Sequence, residues 1–238
     1  MEQEELYRMI NEKEGALSLA FPKLMRKVYV WMTLALVITG FTAYEIAASP
    51  NLIMAIVTNR ILFWGLIIAE FGLVIGLTAA STKLSLTTAT LMFVLFSVVN
   101  GATLSTIFLA YTMSSIANVF FITAGTFAVM AFIGYTTNAD LTSLGKILMM
   151  GVIGLIIATV VNVFFIKSSG FDLIISYIGV GIFVGLTAYD SQKIKQMLMQ
   201  CEDMNEGAQK LALLGALSLY LDFINLFLYL LRIFGKRN

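Results

Sequence analysis

Long apolar runs, separated by short polar and charged clusters, dominate the chain from residue 28 onward. A helix needs about 20 mostly apolar residues to cross the hydrocarbon core of a bilayer. The runs predict spans near residues 28–48, 61–80, 86–110, 118–137, 147–166, 173–191 and 212–233. The pattern therefore predicts an all-α integral membrane protein that is built as a seven-helix bundle.

Polar residues mark the breaks between these spans. The stretch from Lys83 to Lys146 contains Asp140 as its one internal charge, and it is too long for a single span. It divides at the polar residues 111–115. Residues 192–211 form the longest connection, but helical spacing of their apolar residues predicts that the sixth helix ends near 200 and the seventh begins near 208.

The domain organisation follows from the same pattern. Residues 1–27 mix acidic and basic residues, and the first apolar run is longer than that of a cleavable signal. We expect a cytoplasmic N-terminal segment, residues 1–27, and a single polytopic membrane domain, residues 28–238.

Composition excludes several function classes. Hydrophobic residues make up 59% of the 238 and charged residues 12%, against roughly 45–50% and 25% in soluble domains. Without histidine, the chain has no His-based zinc site, no Ser-His-Asp triad and no imidazole pH sensor. It shows no basic stripe for nucleic acid. Cys201 cannot form an internal disulfide, and we interpret it as a structural bystander.

Basic residues predict the orientation, because Lys and Arg are enriched in cytoplasmic loops. A cytoplasmic N-terminus puts ten of the fifteen on the inner side: Arg8, Lys13, Lys23, Arg26, Lys27, Lys83, Lys146, Lys193, Lys195 and Lys210. The basic C-terminal end leaves open a last segment that re-enters the membrane without crossing it. With no targeting signal visible, we expect the inner (plasma) membrane of a bacterium.

Two glycine pairs predict close helix packing. Gly72 and Gly76, and Gly181 and Gly185, are spaced four residues apart within the spans. Such small-residue spacing lets helix backbones approach closely in lipid, so we interpret these as packing residues.

Four acidic residues lie within the apolar runs: Glu45, Glu70, Asp190 and Asp222. A charge at mid-bilayer costs at least roughly 2.5–3.5 kcal/mol, so such residues usually face the bundle interior and have a function. Glu45 is close enough to the end of its span to reach the interface. Glu70 lies midway along the second span, where a function or a buried partner is expected.

Asp190 and Asp222 lie at compatible depths on the last two helices, because a helix rises about 1.5 Å per residue from the turn between them. Two carboxylates in a low-dielectric site cannot both ionise cheaply, so the pair is expected to titrate as a unit. A shared proton would hold the helices together. Its loss would leave charges that repel or that attract a hard cation such as Ca²⁺. The alternative is a purely structural polar clasp.

The seventh helix carries a polar stripe formed by Ser218, Asp222, Asn225 and Tyr229. These positions recur at helical spacing on one face. A polar face in lipid must be covered by protein, so we expect the other six helices to surround this central seventh helix.

Three motifs resemble those of one known family. They are the last-helix run Leu217-Ser218-Leu219-Tyr220-Leu221-Asp222-Phe223-Ile224-Asn225-Leu226-Phe227, the sixth-span Tyr189-Asp190-Ser191-Gln192-Lys193-Ile194, and the loop Asp140-Leu141-Thr142-Ser143-Leu144-Gly145. In this order they closely resemble the transmembrane Bax inhibitor motif family, and the likeness covers nearly the whole chain.

The resemblance implies six helices around a seventh, and a pH-sensitive calcium leak channel in which Asp190 and Asp222 form the switch. Glu70 matches an acidic position of the second span. Relatives described as leak channels carry an arginine near the end of that span. This chain has Ala80-Ser81-Thr82-Lys83 there, so Lys83 is the nearest cation.

Other function classes fit less well. Intramembrane aspartyl proteases also pair aspartates on two helices, but here Leu219-Tyr220-Leu221 replaces their Gly-x-Gly and the Pro-Ala-Leu element is missing. A retinal protein would need a mid-span lysine on the last helix. The stronger alternative is a non-enzymatic regulator that binds a membrane protease or another membrane partner, as the resemblance also implies. We expect no enzyme activity and no cofactor, with protons and Ca²⁺ as the ligands.

Overall fold

A computed structural model describes residues 2–81 and 83–238, with side chains from residue 20 onward. The described residues form helices without a β-strand: α1 (Glu2–Ala48), α2 (Pro50–Thr58), α3 (Arg60–Ala79), α4 (Leu86–Leu104), α5 (Ile107–Ala110), α6 (Met113–Thr136), α7 (Thr142–Val161), a π-turn (Asn162–Ile166), α8 (Ser169–Met199) and α9 (Glu206–Phe234). The all-α prediction is therefore confirmed.

The described helices provide seven segments that are long and apolar enough to span a membrane: Ala20–Ala48, Arg60–Ala79, Leu86–Ala110, Met113–Thr136, Thr142–Ile166, Ser169–Met199 and Glu206–Phe234. All seven predicted spans are confirmed, and most extend further than the apolar pattern indicated. The break predicted at residues 111–115 lies at Tyr111 and Thr112, because α6 already begins at Met113. The extension of the sixth helix to about residue 200 is confirmed.

The helix α1 runs through residue 27 without a break. The division into a cytoplasmic segment, residues 1–27, and a membrane domain, residues 28–238, stays a prediction. Leu24 and Val28 are both completely buried, so burial of the side chains continues across this boundary. The predicted cytoplasmic side chains of Arg8 and Lys13 lie outside the described residues.

The chain forms two compact units, and α8 and α9 contribute to both. The first unit contains Met1–Leu104 and Ile194–Leu217. In it, α4 packs against α1 and α3. The Thr39 hydroxyl donates a 2.9 Å hydrogen bond to the carbonyl oxygen of Ser97, and a Cβ on Gly101 would lie 2.7 Å from the carbonyl oxygen of Thr39. Small residues four apart on α4 therefore allow this close approach.

The start of α9 is attached to the turn before α4 in the same unit. The backbone N–H of Leu86 donates to Glu206 Oε1 at 2.8 Å, and Lys210 Nζ donates to the carbonyl oxygen of Leu84 at 2.9 Å. Glu206 thus satisfies one of the unpaired N–H groups at the beginning of α4.

The second unit contains Ser105–Lys193 and Ser218–Asn238. Its C-terminal residues are bonded to the segment between α5 and α6. Thr112 N donates to the carbonyl oxygen of Lys236 at 3.1 Å, Lys236 N donates to Ser115 Oγ at 2.8 Å, and Asn238 N donates to the carbonyl oxygen of Ala110 at 3.1 Å. The end of the chain is therefore on the same side as the turn after α5.

The helix α9 is continuous from Glu206 to Phe234, which favours a full crossing over a re-entrant segment. It is also the most buried span. Within its most apolar 18 residues, 67% are buried, against at most 39% in each of the other six described spans. This burial is what a central seventh helix requires.

The glycine prediction is half right. A Cβ on Gly76 would lie 2.9 Å from Met92 Cε, and a Cβ on Gly185 would lie 2.6 Å from Leu148 Cδ1. Gly72 and Gly181 have no such neighbour within 4 Å, so their assignment as packing residues is wrong. Spacing of four identifies one face of a helix, but it does not show whether another helix covers that face.

Seven full crossings put the two ends of the chain on opposite sides of the membrane. We expect alkaline phosphatase, which is active only outside the cytoplasm, to be inactive when fused at the N-terminus and active when fused after Asn238. Insertion into the turn at residues 200–205 is the control and should behave like the N-terminal fusion. Equal activity at both ends would contradict this topology.

Lys167 has a left-handed backbone conformation (φ 52°, ψ 37°) directly after the π-turn. Glycine adopts this conformation without a steric penalty, so Lys167→Gly should raise the free energy of unfolding by about 0.5–1 kcal/mol. The control is Lys146→Gly, an exposed position inside α7, which should lower it by about 1 kcal/mol. Thermal unfolding in detergent, followed by circular dichroism, measures both; a destabilised Lys167→Gly would contradict the assignment.

Candidate functional site

Asp190 on α8 and Asp222 on α9 lie in the same unit, and their charges are close enough to interact. Asp222 is only 5% exposed, and its Oδ2 atom has no hydrogen-bond partner among the described residues. Ser191, next to Asp190, is completely buried, and its hydroxyl oxygen likewise has none. A buried carboxylate oxygen without a donor is costly, so the site favours a proton or a cation between the two aspartates.

Aromatic side chains pack α9 against α6 next to Asp222. Phe223, the next residue, packs edge to face against Phe120 and Phe127, with ring centroids 5.4 and 5.6 Å apart. These ring contacts hold this part of α9 against α6.

Two glycines fix the segment that carries Asp190. The Cα of Gly134 on α6 abuts the backbone of Ala188, and a Cβ there would collide with the carbonyl oxygen of Ala188. On α7, Gly145 lies under the ring of Tyr189, 2.5 Å from where its Cβ would be. Both neighbouring helices therefore approach α8 just before Asp190.

Gln192 attaches α8 to the turn between α6 and α7. Its Nε2 donates to the carbonyl oxygen of Ala139 at 2.7 Å, and its Oε1 accepts from the backbone N–H of Leu141 at 2.9 Å. Gln192 is 6% exposed. In the same turn, hydrogen bonds from the Thr142 side chain and backbone N–H lower the pKa of the exposed Asp140, which thereby accepts from the first N–H group of α7.

The polar stripe of α9 is only partly buried. Ser218, Asn225 and Tyr229 are half-buried, whereas Asp222 is buried. Asn225 donates to the carbonyl oxygen of Leu221, one turn earlier in its own helix, at 2.8 Å. Tyr229 packs against Gly179 and stacks on Phe183 at 5.8 Å.

The remaining predicted residues belong to the first unit, so the structure does not gather them with the aspartates in one unit. Glu70 is hydrogen-bonded to the side chains of Asn100 and Thr103 on α4, although its Oε1 is buried without a partner. Lys83 is exposed in the turn after α3. Glu45 is exposed near the end of α1, and its position at the membrane interface stays a prediction.

No group of three or more His, Cys, Asp or Glu side chains that could hold a metal occurs in the described part of the chain. Asp190 and Asp222 would supply two of the six to eight oxygens that Ca²⁺ takes, and water or carbonyl oxygens would supply the rest. Cys201 is half-buried, and burial together with the nearby Asp203 raises the pKa of its thiol. A thiol that ionises less readily is less reactive, in keeping with a bystander.

Sequence reasoning missed the residues that position the aspartates. Gln192 and Gly145 stand inside the motifs that carried the family resemblance, but the motifs do not show that the two segments contact each other. Gly134 has no motif around it. Only a cross-helix distance identifies it, because sequence spacing does not report which helix lies opposite.

The chain matches the family profile described as "Inhibitor of apoptosis-promoting Bax1" over residues 22–238. It is 49% identical to the inner membrane protein YbhL of Escherichia coli (strain K12) over 215 residues, which are 90% of this chain and 92% of YbhL. It is 46% identical to a Borreliella burgdorferi protein over 216 residues, 91% of this chain and 93% of that protein. A membrane protein of Streptococcus pyogenes serotype M1 is 35% identical over 214 residues, 89% of this chain and 92% of its own.

The contact between Gly134 and Ala188 generates a stability prediction. Gly134→Ala should lower the free energy of unfolding by about 1–3 kcal/mol, because the added methyl group meets backbone that cannot rotate away. Gly125→Ala on the same helix is the control; it has open space and should be neutral or slightly stabilising. Thermal unfolding in detergent compares the two, and equal effects would contradict the contact.

Proposed function

This chain belongs to the Bax inhibitor motif family of multi-pass membrane proteins, and from that premise and the site geometry we propose that it is a pH-sensitive cation leak channel that conducts Ca²⁺. The Asp190–Asp222 pair is its gate. One observation carries the proposal: a buried carboxylate oxygen of Asp222 has no hydrogen-bond donor among the described residues, and Asp222 lies within electrostatic reach of Asp190.

The direction of gating follows from charge. In acid the two aspartates share a proton, which satisfies the orphan oxygen of Asp222 and holds α8 to α9. At higher pH the proton is lost, and two negative charges in a low-dielectric site repel each other. Relief comes from separation of the helices or from a cation between them. The conducting state is therefore the deprotonated state, and flux rises with pH.

The half-buried stripe of α9 supports a path for ions beside the gate. Ser218 and Asn225 lie one turn to either side of Asp222 on the same face. Because Asn225 uses its N–H₂ group on Leu221, its amide oxygen remains as an acceptor for a passing cation. Oxygen ligands at successive turns suit a hard cation such as Ca²⁺.

The second candidate is a non-enzymatic membrane regulator that binds a membrane protease or another partner. Family membership supports a non-enzymatic role in either case. The regulator interpretation needs no flux, so a flux measurement separates the two functions.

We also propose the cell's inner (plasma) membrane as the location, with the N-terminus in the cytoplasm. The relative YbhL is an inner membrane protein, which supports this location, and the distribution of Lys and Arg supports the orientation.

Ca²⁺ flux into proteoliposomes tests the proposal across roughly pH 5–8, the range that a carboxylate in an apolar site can reach. Flux of the wild type should rise with pH, by up to about tenfold per pH unit on the acid side of the midpoint if one proton is lost. Asp222→Asn and Asp190→Asn remove one of the two charges, so each should lose most of this pH dependence.

Asp203→Asn is the matched control, since this aspartate lies in the exposed turn between α8 and α9. It should keep the pH profile of the wild type. A wild type without flux, or an unchanged profile in both gate variants, would overturn the channel proposal and favour the regulator.

A further inference from the structure

We propose that Gln192 is a positioning residue: its carboxamide, bonded to the turn between α6 and α7, sets the rotation of α8 so that Asp190 faces Asp222. Only the predicted effect of Gln192 on Ca²⁺ flux rests on the proposed function. The positioning itself is a statement about geometry and is tested separately below.

The first step is the polarity of the two hydrogen bonds. The Gln192 amide donates to one backbone group of the turn and accepts from another, at 2.7 and 2.9 Å. A carboxamide has a donor and an acceptor at opposite corners of a rigid plane, so this paired contact fixes the orientation of the side chain. A buried apolar substitute would leave both backbone groups without a partner.

The second step is the position of the contacts around α8. Successive helix residues are about 100° apart, so Ala188, Tyr189 and Gln192 lie on one side of the helix. Each of the three meets α6, α7 or the turn between them. Asp190 lies on roughly the opposite side. The three contacts thus hold one face of α8, and the opposite face carries the carboxylate towards α9.

The third step is the sensitivity of the gate to rotation. A helix with its side chains has a radius of roughly 5–6 Å, so turning it by about 20° moves a side-chain tip by about 2 Å. The contacts of Ala188 and Tyr189 are van der Waals contacts, which allow sliding. The two directional bonds of Gln192 oppose rotation, and they lie only two residues after Asp190.

The charged groups around Asp190 do not set the rotation of α8, so this positioning role is left to Gln192. Asp222 acts on it from α9, and Lys193 acts on it from its own helix. On the side of the turn and α7, Asp140 is paired with Thr142 and interacts with Lys146. Lys193 lies over the Tyr189 ring, and both hydrogen bonds described between the turn and this part of α8 are those of Gln192.

Flux provides the first test. Gln192→Met keeps the length of the side chain but removes both hydrogen bonds. The ratio of Ca²⁺ flux at alkaline to acid pH should fall by about threefold or more, within the range of coupling changes that such mutations cause. The loss should come from higher flux in acid, where aspartates that no longer face each other cannot share a proton. Gln196→Met, exposed one turn later on α8, should keep the wild-type ratio.

Gln192→Glu provides the rescue. Its protonated carboxyl group offers one donor and one acceptor in the same places, so the acid flux should stay at the wild-type level. Wild-type flux ratios in Gln192→Met, or equal acid flux in the Met and Glu variants, would overturn the proposal.

Cross-linking tests the geometry without conduction. In a Cys201→Ser background, Asp190→Cys and Asp222→Cys together should form a disulfide under mild oxidation. Adding Gln192→Met should lower its yield by about threefold, as expected for a positioning change, whereas adding Gln196→Met should not. If the wild type shows no flux, the channel proposal fails and the cross-linking yield alone decides the role of Gln192; an unchanged yield would reject it.

Discussion

The cost of a carboxylate away from water determines how this protein is organised around Asp222. Hydrocarbon and apolar side chains offer no donor, so an acidic residue in a span must be paired, protonated or bound to a cation. Here Asp222 is nearly fully buried, one of its oxygens lacks a hydrogen bond, and Asp190 is its electrostatic neighbour. In the proposed gate, the pair is stable when it shares a proton and repels itself when both carboxylates are ionised.

Asp222 Oδ2 lacks a hydrogen-bond partner among the described residues, but close contacts hold the helix segments on either side of the pair. Phenylalanines from α6 hold α9 beside Asp222, and the glycines of α6 and α7 bring those helices against α8 beside Asp190. Close helix contacts of this kind replace the hydrophobic driving force that is missing between helices in lipid. A change of charge at the pair therefore acts on two helices whose other contacts resist deformation, and the most direct response is a relative movement of α8 and α9.

A channel and a regulator would use the Asp190–Asp222 pair in different ways. A channel would convert its protonation into ion flow, and a regulator would convert it into a shape that a partner recognises. The half-buried polar stripe beside Asp222 favours flow, because Ser218 and Asn225 place oxygen atoms one turn away on either side of the carboxylate.

The amino-acid sequence was enough to predict the seven spans, the membrane class and the two aspartates, because the length of an apolar run and an acidic residue within it are local signals. It also determined the approximate ends of α8 and α9, from helical spacing. The fold was needed to show which glycines are in contact, and it brought Gln192 to the turn at residues 139–141. It also placed Glu70 and Lys83 in a different unit from the aspartates. These features depend on which face of each helix meets another helix, and a residue's spacing within one helix does not contain that information.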